Sequence, residues 1–142
     1  MFGVAGITFS PSGNGVEGNN PTTTGGGAGV HGNRRLALAQ ESYSTRVAGI
    51  YSTKPGMLGS THKIDEKAPA DEVPLAVVGI VPCKVSAENG PIQTGDLLVS
   101  SSTLGHAMKG TDRSRMLGAV VGKALEPLRE GKGVIQVLVT LQ

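Results

Sequence analysis

The sequence predicts an all-β protein: a small β-barrel or sandwich head behind a glycine-rich, intertwined trimeric β-stalk. Three observations carry that expectation. A Gly-Val-x-Gly unit occurs three times in the first third of the chain, starting at positions 3, 15 and 29. Short apolar runs separated by turn signals fill the remainder, which is the pattern of small barrels and sandwiches. Large aromatics are scarce, with two Phe, two Tyr and no Trp in 142 residues. A core built from Val, Leu, Ile and Ala alone is short of apolar area in a small domain, and oligomerisation is one remedy.

The first segment, residues 1–42, reads as stalk and transition. Its repeats are Gly3-Val4-Ala5-Gly6, Gly15-Val16-Glu17-Gly18 and Gly29-Val30-His31-Gly32. In each, one β-branched residue is flanked by glycines that permit close backbone approach. One valine per repeat cannot bury a core by itself. Three chains around a common axis would stack Val4, Val16 and Val30 in layers, so these three are the expected trimer interface. The alternative is an unstructured Gly/Ser/Thr linker. Asn33–Ser42 breaks the glycine pattern. Its Leu36-Ala37-Leu38-Ala39 run suits a short helix or a strand crossing to the head, but is too short for a stable isolated helix.

The second segment, residues 43–142, reads as a compact head. Tyr43-Ser44-Thr45 is echoed by Tyr51-Ser52-Thr53, with the strand-like Val47-Ala48-Gly49-Ile50 between them. Lys54-Pro55-Gly56 is a turn, and the charged run 60–72 is an exposed loop. The centre is Val73–Val99, expected to be two strands joined at Asn89-Gly90-Pro91, since Asn-Gly is the strongest short hairpin signal. Leu75–Val81 is apolar at nearly every position, so both its faces are expected to be buried. Pro82 has no N–H for a ladder and belongs at an edge or bulge. Gly95-Asp96 precedes Leu97-Leu98-Val99 as a turn whose aspartate bonds backbone amides. Asn89, Gly90, Gly95 and Asp96 are therefore read as structural turn residues. Leu117–Leu125 is a further strand, Glu126–Gly133 a hairpin loop, and Val134–Leu141 a last strand with Ile135, Val137, Val139 and Leu141 on its core face.

Several blocks in order, VAGIYSTKPGMLG, VPLAVVGIVPCKV, ENGPIQTGDLLV, GHAM and VVGKALEPL, resemble a C-terminal domain of long bacterial and phage fibre proteins. It is similar to the peptidase G2 family of phage neck-appendage fibres. The resemblance spans residues 47–142, and the Gly-Val-x-Gly repeats look like the stalks ahead of such heads. It implies a homotrimeric fibre tip, extracellular, at a cell surface or on a phage-like particle. It also implies a terminal domain that can assist trimerisation and then cut itself off. The family's cleavage chemistry has no residue-by-residue match here.

The residues themselves point to no catalytic, metal or cofactor site. Self-cleavage needs a nucleophile, a base and oxyanion donors. Ser52, Thr53, Ser60, Ser86 and Ser100–Ser102 are possible nucleophiles, with His62, His106, Lys54 and Asp96 as possible bases, but no spacing pairs them. His31, His62 and His106 lack the spacing of metal ligands. The glycine-rich segment is not followed by Lys-Ser/Thr and opens no helix, so it is no phosphate cradle. A net charge of +2, from 13 basic and 11 acidic residues, does not indicate a nucleic-acid or membrane-surface partner. No run approaches a membrane span. The N-terminal MFGVAGITFSPSG lacks a basic region and a long enough apolar run for a signal peptide. The chain is thus expected to begin inside a longer protein or to leave the cell by a route needing no such signal. Cys83, the single cysteine, excludes an internal disulfide and reads as a small buried hydrophobe. Asn14-Gly15 and Asn89-Gly90 are chemically labile linkages. The leading expectation is a structural and assembly module. A self-cleaving intramolecular chaperone, and a tip that recognises a glycan or cell-surface receptor through 60–72 and 100–115, are the alternatives.

Overall fold

The computed structural model describes residues 3–8, 35–52 and 75–140. Nine strands lie in them: β1 Val4–Thr8, β2 Arg35–Leu38, β3 Val47–Tyr51, β4 Leu75–Ala76, β5 Val78–Ser86, β6 Leu97–Ser100, β7 Ala107–Lys109, β8 Val120–Ala124 and β9 Lys132–Thr140. Two single 3-10 turns, Ala87–Asn89 and Arg113–Arg115, are the only helical elements among the described residues. The protein is all-β. One sheet has the order β2-β1-β3-β4, and β5-β7-β6-β8-β9 closes into a barrel. Leu36–Leu38 extends as part of β2, so the strand reading of the transition segment is the one observed.

The chain from Leu75 to Ser86 serves both sheets. β4 pairs with β3 in the first sheet, and after a bend at Val77 the chain enters the barrel as β5. β5 then runs antiparallel to β9 along its whole length, from Val78 opposite Thr140 to Ser86 opposite Lys132. Its other edge meets β7 at a single parallel pair, Val85 with Ala107. β5 and β6 do not pair, because β7 lies between them. Val73–Val99 is therefore not a hairpin. The Asn-Gly signal instead ends a 3-10 turn, where Gly90 holds φ 97° and its N–H donates to the Ala87 carbonyl at 3.0 Å.

Nor is the Leu75–Val81 run buried on both faces. Val77, Val78 and Ile80 are 54%, 79% and 63% exposed. Strand alternation explains this: Cys83 and Val85 point into the barrel, while Val78 and Ile80 lie on the outer face. Pro82 lies within β5, opposite Gln136. The Gln136 N–H donates to Glu126 Oε2, and its carbonyl accepts from Leu125. The 82/136 pair is thus the non-hydrogen-bonded kind, and the missing proline N–H costs that ladder nothing. Leu117 is 89% exposed in a turn, so β8 begins later than the sequence predicts, at Val120.

The main core joins the two sheets. Val4, Ala39 and Ile50 cluster with Cys83, Val85, Ile92, Leu98, Val121, Ile135, Val137 and Val139. Ile135, Val137 and Val139 form the core face of β9, while Leu141 lies outside the described residues. Val4 is fully buried within its own chain, and its strand pairs with β3 from the head. Within the single chain Val4 thus packs into the head's own core, beside β3. Val16 and Val30 lie outside the described residues, as do Glu17, His31 and the charged run 60–72.

Candidate functional site

Segment Glu41–Arg46 crosses from the first sheet onto the barrel and is fastened there by one serine and one tyrosine. Ser100, fully buried at the end of β6, donates from Oγ to the Glu41 carbonyl at 2.7 Å. The same oxygen accepts the Ser44 N–H at 2.8 Å, and the Ser100 carbonyl accepts the Tyr43 N–H at 3.1 Å. Tyr43 itself has φ 56°, a left-handed conformation uncommon for a residue with a side chain. That backbone turns its ring onto Val99, Met108 and Ala119, which form a second, smaller cluster with it.

The phenol oxygen of Tyr43 is a crowded acceptor. It takes the Thr111 N–H at 2.9 Å, the Asp112 N–H at 3.0 Å and an Asn89 Nδ2–H at 3.2 Å, with Thr111 Oγ1 at 3.3 Å. Arg115 stacks its guanidinium 4.6 Å from the ring centroid and donates to the Ser42 carbonyl at 3.0 Å. Burial raises the phenol pKa, but the donors from Thr111, Asp112 and Asn89 outweigh it, so ionisation occurs below the ordinary tyrosine value. Asn89 completes the clasp. Its Nδ2 also donates to the Lys109 carbonyl and to Thr111 Oγ1, each at 2.8 Å.

The adjacent residue, Glu88, organises the loop after β6. Its carboxylate accepts from Ser101 Oγ at 2.8 Å, Ser102 N at 3.0 Å, Ser102 Oγ at 3.1 Å and Thr103 Oγ1 at 2.9 Å. Ser86 Oγ sits 3.5 Å away on the same group. Burial pushes the carboxyl up, and the donations from Ser101, Thr103 and Ser102 more than reverse it, holding Glu88 below the usual carboxylate range. That makes it a weak general base. Ser101 is fully buried, and its Oγ also accepts the Thr103 N–H. The Ser100 and Ser101 hydroxyls are thus engaged in holding loops; the contact of Ser101 with His106 is backbone to backbone, its N–H donating to the His106 carbonyl at 3.0 Å, and among the described residues neither hydroxyl is hydrogen-bonded to a histidine or lysine side chain.

Glu88→Gln is expected to loosen this loop and flatten the acid dependence of stability. A carboxyl held low in the folded state contributes stability that is complete above its unfolded pKa and is lost as pH falls through the folded one. Urea titrations of the wild type should show a falling midpoint on acidification below the ordinary carboxylate range. The variant should fall less, and start about 1–2 kcal/mol lower at neutral pH.

The remaining predicted turn residues sit at one end of the barrel. Gly95 has φ 96°, and its N–H donates to the Ala124 carbonyl at 2.8 Å. Asp96 Oδ2 accepts the Gln93 N–H at 2.8 Å and pairs with Lys109 Nζ at 3.0 Å. Burial raises this carboxyl, and the Gln93 amide and Lys109 ammonium bring it below the usual range. His106 Nδ1 lies 2.8 Å from the Leu104 carbonyl. Cys83 is fully buried, and burial pushes its thiol up to about 12, so it is not a nucleophile at neutral pH. Ser52 is buried; Thr53, Lys54, Ser60 and His62 lie outside the described residues. No group of three or more His, Cys, Asp and Glu side chains among the described residues could hold a metal ion, and none of their helices is long and apolar enough to cross a membrane.

The structure thus brings Asn89 and Tyr43 together, and links Asp96 to Lys109, whose carbonyl accepts from Asn89. Reading the sequence alone missed Glu88 and Thr111, took Ser100 only as a possible nucleophile, and gave Tyr43 no role in fastening the segment. The one local hint was the Tyr-Ser-Thr echo, which marks Tyr43 without giving its partners, 46 to 69 residues away. The chain matches no family model, no curated protein and no solved structure.

Proposed function

We propose that this chain is a structural and assembly module, the head of a homotrimeric fibre tip, and that it works by packing against copies of itself. The observation that carries the reading is the uncovered apolar row on the barrel exterior. Val77, Val78 and Ile80 on the β4–β5 stretch and Val134 on β9 each leave more than half of their surface in water. β5 and β9 are neighbours, so Ile80 lies opposite Leu138 on one face of that ladder. Such a row on a chain poor in aromatic residues suits burial against another subunit. The block-by-block resemblance of residues 47–142 to fibre-terminal domains, with the Gly-Val-x-Gly repeats of the sequence ahead of them, supports reading the assembly as a trimeric fibre tip.

Val78→Asp combined with Ile80→Asp tests this. Both side chains are exposed in the single chain, so the fold should survive with an unchanged far-ultraviolet spectrum. Light scattering should report a trimer for the wild type and a shift to monomer for the double variant, since a buried unpaired carboxylate at each contact costs several kcal/mol. An unchanged mass for the folded double variant would remove this face from the assembly.

A further inference from the structure

We propose that Asn89-Gly90 is a latent deamidation site held shut by the Tyr43 clasp, so that detachment of segment 41–46 from the barrel becomes irreversible once it has lasted long enough for the reaction. Deamidation starts when the Gly90 amide nitrogen gives up its proton to solvent and attacks Asn89 Cγ. A new N–C bond closes a succinimide ring, and the Cγ–Nδ2 bond breaks to release ammonia. Water then opens the ring, leaving aspartate or isoaspartate. Asn-Gly is the dipeptide most open to this chemistry because glycine puts no side chain in the path of attack.

The native geometry blocks both partners of that step. The Gly90 N–H is engaged with the Ala87 carbonyl at 3.0 Å. The leaving group, Nδ2, is held by Lys109 O and Thr111 Oγ1 at 2.8 Å and by Tyr43 Oη at 3.2 Å. Those acceptors come from two separate parts of the chain, Tyr43 on segment 41–46 and Lys109 and Thr111 at the end of β7. Asn89 is only half-buried, so water reaches the site and the block is conformational. Opening the clasp frees the side chain to rotate toward Gly90.

The product cannot re-form the clasp's bond to the Lys109 carbonyl. An aspartate at position 89 has no N–H to offer, and it would face the Lys109 carbonyl, which has no proton either. The two oxygens repel where a hydrogen bond had been. Isoaspartate also lengthens the backbone of the 3-10 turn by a methylene group.

Peptide mapping by mass spectrometry of the full chain, incubated at mildly alkaline pH, tests the proposal. Four samples are compared: native wild type, wild type in urea, Tyr43→Phe and Thr111→Val. Asn14-Gly15 in the same digest reports the intrinsic rate of the chemistry in urea. Native Asn89 should react at least about tenfold more slowly than in urea, where it should match Asn14. Either folded variant should speed the native reaction by roughly tenfold, the factor given by losing about 1.4 kcal/mol of closing free energy. Equal rates at Asn89 in native and unfolded wild type would overturn the proposal. So would a folded variant that deamidates Asn89 no faster than wild type; if Tyr43→Phe does not fold, Thr111→Val decides, and the wild-type comparison stands without either.

Discussion

Gly122→Val is expected to unfold the barrel or nearly so. Gly122 sits in β8 between two ladders, opposite Leu98 in β6 and Val139 in β9. The strands are drawn so close there that a Cβ would collide with the Leu138 carbonyl and lie 2.8 Å from Val137 Cγ1. One of these is backbone, which cannot rotate away, and the other belongs to a fully buried side chain. Relief requires β8 and β9 to separate, which breaks the ladder and opens the main core. Overpacking of this kind costs about 3 kcal/mol or more, a large part of the roughly 5–15 kcal/mol that stabilises a small domain. Urea unfolding followed by circular dichroism should show the midpoint fall sharply or the native baseline vanish. Gly122→Ala brings the same Cβ and should also be destabilising, while Gly131→Ala, where nothing lies within 4 Å, separates steric collision from the strain of a positive φ.

Tyr43→Phe is expected to cost about 1–2 kcal/mol, because it leaves the Thr111 and Asp112 N–H groups without their acceptor, while the Asn89 amide keeps Lys109 and Thr111. The ring packing on Val99 and Met108 survives the change, so the loss is polar. The pH dependence identifies it. A phenol whose pKa is lower in the folded chain adds stability as pH rises through the folded value, and the gain is complete above the unfolded one. Wild type should therefore gain on Tyr43→Phe at alkaline pH. Ultraviolet titration can follow the phenol directly, since the chain has only two tyrosines and no tryptophan. The difference between wild type and variant isolates Tyr43, and it should ionise below the ordinary tyrosine range.

The fold class was legible because alternation and turn residues are local. β9 shows this best: Ile135, Val137 and Val139 alternate with Gln136 and Leu138, and the barrel interior takes the first set. Strand pairing was not legible in the same way. The Asn89-Gly90 signal is a real local turn, yet β7 enters between β5 and β6, and nothing near Asn89 announces an element that starts at Ala107. Leu75–Val81 misled for a related reason. A continuous apolar run is the mark of a strand buried on both sides, and here it is a strand whose outer face is left bare. The pairing of the first repeat was equally hidden: Val4–Thr8 joins β2 and β3 in the sheet beside the barrel, and nothing in Gly-Val-x-Gly names those partners. The clasp was hidden because it is made by contacts between distant segments. Tyr43, Asn89 and Thr111 are ordinary residues with no local sequence signal linking them, and only the fold brings them within hydrogen-bonding distance.

Self-association is the claim on which the functional reading depends. Sedimentation equilibrium of the unmodified chain at micromolar concentration tests it most directly. The proposal predicts a single species of three times the 14.4 kDa chain mass. A stable species of 14.4 kDa across that range would contradict it and leave the bare face of β5 and β9 without a partner of its own kind.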